Sequence, residues 1–173
     1  MNGRLEGRDR WLVPLSLWGS FLANDGEEWL TMARTAPAVY QRLGVSNRVP
    51  EVVRQPSQRH VNVGVSVIGL LLAVAVIDGI RSRGRGWLYQ DVQMAFGAHG
   101  WGHLLSAMVS RGYVTGVLTS PTVVLPQWWW ARRRLRAAGV PTTSRPLRAA
   151  GLCGAGLLAA HALGIAASRR RTP

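Results

Sequence analysis

VNVGVSVIGLLLAVAVIDGI, residues 61–80, carries a single charged side chain, Asp78, near its end. Twenty apolar residues make about 30 Å of helix, the thickness of a bilayer's hydrocarbon core. Arginine stands on both sides, Arg59 before the run and Arg81, Arg83 and Arg85 after it. If this run is a membrane span, the rest of the chain must be read the same way. Four further windows then qualify: residues 11–30, 92–109, 113–130 and 147–167. Trp11, Trp87, Tyr89, Tyr113 and the Trp128–Trp130 run mark their ends, where amphipathic rings favour the membrane interface. The expectation is an all-α, polytopic transmembrane helix bundle of about five spans, forming a single integral membrane domain over residues 1–173. Residues 35–59 would connect the first two spans, as an interfacial helix or a cap.

The charge pattern points the same way. All 21 basic residues are arginine, against eight acidic ones, for a formal charge of +13. Such a balance suits nucleic acid or a membrane surface. The arginines fall in short clusters separated by uncharged stretches, which is the layout of membrane loops and excludes a continuous nucleic-acid stripe. With five spans, twelve arginines fall on the N-terminal side (4, 8, 10, 81, 83, 85, 132–134, 136, 145 and 148) and nine on the other. The positive-inside rule then makes the N-terminus cytoplasmic. The first apolar run ends in carboxylates with no A-x-A-like cleavage site after it, so it reads as a retained span. A lone cysteine, Cys153, excludes an internal disulfide and a multi-cysteine zinc site.

Three of the eight acidic residues crowd into NDGEE, residues 24–28, at the end of the first window. On a helix Asn24, Glu27 and Glu28 stand at i, i+3 and i+4 and share a face that Leu17 and Phe21 continue. Two carboxylates in low dielectric need cations or protons. The alternative is that they lie at the interface, solvated or paired with Arg34. A partner is available in AHGWGHLL, residues 98–105, where His99 and His103 at i and i+4 have the helical spacing of two imidazoles on one metal. Gly97, Gly100 and Gly102 around them would admit a close neighbouring helix. His161 lies in a seam of small residues, Gly156, Ala160 and Gly164, and reads as a packed, hydrogen-bonded side chain.

The order NDGEEW, HGWGHLL, RGYVTGVLTSPTVVLP resembles the HXXEE-domain family of small bacterial membrane proteins. The resemblance implies that Glu27 and Glu28 are the motif glutamates and that His99 and His103 are a later histidine pair. Asn24 stands where the motif has histidine. It can hydrogen-bond and ligate weakly through its carbonyl, but it does not titrate near neutrality. The family implies a bacterial cytoplasmic membrane and no settled activity.

Two functional classes remain. Glu27, Glu28, His99 and His103 facing one another would hold a divalent transition metal, or work without metal as an acid–base relay, with Asn24, Asp25 and His161 in support. A substrate arriving through the bilayer would be a lipid or isoprenoid. Alternatively, buried Glu and His mark an ion or proton pathway in a non-enzymatic carrier or a structural membrane subunit. Depth matters here: within these windows Glu27 lies roughly 24 Å along the first span and His99 roughly 10 Å along the parallel third. His103 is therefore expected nearer the glutamates than His99.

Overall fold

The structure is a computed structural model, and it describes residues 3–169; Arg170 and Arg171 of the last arginine cluster lie outside the described residues. The fold is all-α. Helix α1 runs Asp9–Arg42, followed by a 3-10 turn at Ser46–Arg48 and a short α2 at Glu51–Arg54. Then come α3 (Gln58–Arg81), α4 (Trp87–Ser110), a π turn at Ser120–Val124 that runs into α5 (Leu125–Ala137), and α6 (Pro146–Arg169). No strand occurs among the described residues.

Helix ends follow from local chemistry. Ser57 caps α3, its side chain accepting from the His60 N–H at 3.1 Å. The α3–α4 turn uses Arg83 and Gly84 in left-handed conformation (φ 55° and 84°). At Gly84 a side chain would also collide with Leu5 and Leu135, so the turn is closed by the N-terminal segment. Arg111 ends α4 in the left-handed region, and Gly112 N–H reaches back to the Ala107 carbonyl at 3.2 Å.

Two expected boundaries are corrected. Residues 35–42 are not connecting loop but the last turns of α1, which continues through Pro37 for 34 residues in all. The window at residues 113–130 is not one helix. Gly116 (φ 77°) stands in an irregular segment, and regular structure resumes only at Ser120, where Pro121 lacks the N–H an α-turn needs and the helix opens to a π turn. Among the described residues two helices, Gln58–Arg81 and Pro146–Ser168, are long and apolar enough to cross a membrane.

The core stripe of α1 is Val13, Leu17 and Phe21, at successive i+4 positions, packed on Leu72, Ala75 and Val76 of α3 and Tyr89, Val92 and Phe96 of α4. On the same face the stripe turns polar, with Asn24 and Glu28 also buried. The far side of α3 meets α6 through the small-residue seam: Gly156 lies against Ile68 and Leu71, and Gly164 against the His60 ring. Outside, the polarity is inverted. Leu147, Leu158, Met108 and Leu70 are 90, 74, 70 and 69% exposed, while Asn24, Asp25, Glu28, Gln90, Asp91 and Gln93 are buried.

Candidate functional site

Helix length resolves the difference in depth. Because α4 starts at Trp87 and α1 at Asp9, Glu28 lies about 28 Å and His103 about 24 Å along their helices. The two therefore meet. Glu28 Oε1 is 2.9 Å from His103 Nε2 and 3.2 Å from His99 Nε2, and the two Nε2 atoms are 2.7 Å apart. One carboxylate oxygen and two imidazole nitrogens thus converge on one point, each with a lone pair or a proton to place there. Hydrogen bonding satisfies only part of such a triangle, since protons on both nitrogens would face each other. A cation satisfies all three donors together, and a carboxylate with two imidazoles is a common donor set for transition metals. Glu28, His99 and His103 form the cluster of ligand atoms found among the described residues.

The support around the triad is specific. Asn24 Nδ2 lies 3.3 Å from Glu28 Oε1 and 3.4 Å from His99 Nε2, while its Oδ1 lies 3.1 Å from Thr119 Oγ1. Gly116 sits flat against the His103 imidazole, and a Cβ there would stand 2.7 Å from the ring. Glu28 and His103 side chains are 7 and 10% exposed; that of His99 is 35% exposed and opens onto a cavity of about 460 Å³. Asp25 is buried on the same wall, with Oδ2 lacking any partner among the described residues.

Glu27 is not part of this cluster. Its Oε1 accepts from the Tyr113 hydroxyl at 2.6 Å, and its Oε2 from Thr119 Oγ1 at 2.7 Å and Thr119 N–H at 3.0 Å. Neighbours on a helix point about 100° apart. One glutamate therefore faces α4, and the other clamps the segment after α4. Thr31 adds a second tie to that segment, 2.7 Å from Thr115 Oγ1. The four-residue set expected to share one site thus divides into a triad and a clamp. Tyr113→Phe should loosen the clamp by about 1.5 kcal/mol, the low end for a hydrogen bond to a charged group. Limited trypsinolysis at Arg111 should then be faster while metal binding persists; unchanged cleavage would show that Glu27 does not hold the segment.

Two of the three glycines beside the histidines admit a close neighbour, as expected, and the third does not. Gly97 and Gly100 admit Trp128 and Val124, so that face packs on the α5 side, and Gly102 faces open space. His161 does hydrogen-bond, and its partner is a residue that pattern reading passed over. His60 Nε2 lies 3.0 Å from His161 Nδ1, and both rings line the same cavity. The available signal for His60 was a histidine opening a span otherwise free of titratable groups until Asp78.

Residues 17–131, about two thirds of the chain, match the family model described as a protein of unknown function with HXXEE motif. The chain belongs to the HXXEE family. Glu28 of the triad and Glu27 of the clamp, together with His99, His103 and Gly116, all fall inside the matched HXXEE region. The five residues that end on this glutamate pair begin with Asn24. Neither the curated proteins nor the solved structures gave a match to the chain.

Proposed function

We propose that this chain is an integral membrane enzyme that acts on a lipid or isoprenoid through a divalent transition metal held by Glu28, His99 and His103. The observation that carries this reading is the convergence of three ligand atoms within 3.2 Å at the wall of an apolar cavity. A metal there would polarise a substrate oxygen or activate water. The chain's own residues supply the rest. His99 presents the triad to the cavity, and Asp25 stands ready on the same wall to give or take a proton. Asn24, at the position of the motif histidine, orients Glu28 and ties it to Thr119.

The membrane setting is part of the proposal. Leucine and methionine exposed on the outside, with carboxylates and amides inside, suit lipid better than water. Helices α1, α3, α4, the Ser120–Ala137 helix and α6 would cross a bacterial cytoplasmic membrane with the N-terminus inside. Reporter fusions after Arg42 and after Arg136 should then report opposite sides; the same side for both would remove a span.

Incubating purified, metal-loaded protein with bacterial lipid extract tests the activity. A lipid or isoprenoid product should appear with the native chain and be absent with His99→Ala. No product difference, with pH-dependent flux in liposomes, would favour a carrier. The 2.7 Å Nε2–Nε2 contact also suits a metal-free hydrogen bond. In that case the same three residues form an acid–base relay, and activity survives chelation.

A further inference from the structure

The cavity has a charge character of its own. It is lined by α1, α3, α4 and α6, mostly with aliphatic side chains, and about 460 Å³ falls in the range of small-molecule sites. The chain has 21 arginines, yet no arginine is among the described residues lining the cavity. Its charged lining is acidic, Asp25 and Glu28. An anionic group buried there would need a cation. A divalent metal on the triad would have none to spare once Glu28 and an ionised Asp25 on the same wall balance its charge. A diphosphate would add several uncompensated negative charges, and a fatty acid one.

A second polar pair stands on the α3/α6 wall. Gln58 donates to the Trp29 carbonyl at 2.7 Å, which brings the start of α3 level with the Glu28 turn of α1. His60 is buried there, held between Gly164 and its 3.0 Å contact with His161, and its Nδ1 has no partner among the described residues. His161 is exposed and lines the cavity, so the pair stands where the cavity meets the outside. An imidazole pair can donate to a carbonyl or accept from a hydroxyl, whichever tautomers it adopts.

We infer that the cavity takes an uncharged long-chain lipid bearing a hydroxyl or carbonyl group, with His60 and His161 as its polar contact on the α3/α6 wall. Prenols, fatty alcohols, aldehydes and quinones belong to this class; prenyl diphosphates and fatty acids do not. The inference rests on the proposed metal reading only for the charge sum.

Three probes of one chain length separate the cases: geranylgeraniol, geranylgeranoic acid and geranylgeranyl diphosphate. Binding is measured to the full chain in nanodiscs, with metal content determined on the same samples. The alcohol should bind at least about tenfold more tightly than either anion, a difference of about 1.4 kcal/mol. His60→Leu and the exposed His161→Gln should each weaken the alcohol about tenfold with metal content unchanged, which also reports that the fold is intact. Anion binding equal to the alcohol's overturns the inference, as does an alcohol affinity that neither variant changes. Alcohol binding that persists in chelated or metal-free protein supports the inference even where the metal reading fails.

Discussion

Glu28→Gln should strip the metal from the chain, and Glu27→Gln should leave it in place. The two glutamates are adjacent in sequence and isosteric in their substitutions, so the contrast isolates geometry. Glu28 Oε1 is within 3.2 Å of both imidazole nitrogens, whereas both oxygens of Glu27 are taken by Tyr113 and Thr119. Altering a partner behind a ligand typically costs metal affinity about 10–100-fold, and removing a ligand should cost about 100-fold or more. Titration with zinc against a competing chelator measures it. Equal losses in both variants would mean that Glu27 is a ligand after all.

Gly116→Ala should damage the site from a residue that ligates nothing. At φ 77° an alanine backbone is strained by about 1–2 kcal/mol. Its Cβ would also come within 2.7 Å of the His103 ring, which has little room to retreat. Lower thermal stability and weakened metal binding should appear together. Gly102→Ala is the matched control: it lies inside α4 with nothing within 4 Å, and alanine there should be stabilising by about 0.5–1 kcal/mol. If both alanines behave alike, Gly116 does not cradle His103.

The helices were legible in proportion to how much of their signal is periodic and uninterrupted. The run at residues 61–80 became α3 with three residues added at its start and one at its end, because nothing within it breaks a helix. The run at 113–130 differs because apolar content alone does not make a helix through the left-handed Gly116; Pro121 and Pro126 are accommodated in the helix that follows. Residues 35–42 misled in the opposite direction: Pro37 removes one hydrogen bond from α1 without ending it.

The candidate site was legible to the level of residue type but not of side-chain direction. The i, i+4 spacing of His99 and His103 carried through to Nε2 atoms on one point. For Asn24, Glu27 and Glu28 the same helical reasoning allowed a shared face, since i+3 and i+4 both lie near i. Packing against α4 on one side and the segment after α4 on the other then drew the two glutamates apart. His60 was invisible for a related reason. Its partner is 101 residues away on α6, and only the docking of α3 on α6 brings them together.

The most direct test is the metal content of the full chain, purified without chelator and reloaded with zinc, manganese or iron. The account predicts about one metal ion per chain in the native protein and none in His103→Ala, with helix content the same in both. A folded native chain that retains no metal after loading, or a His103→Ala chain that retains as much, would contradict it.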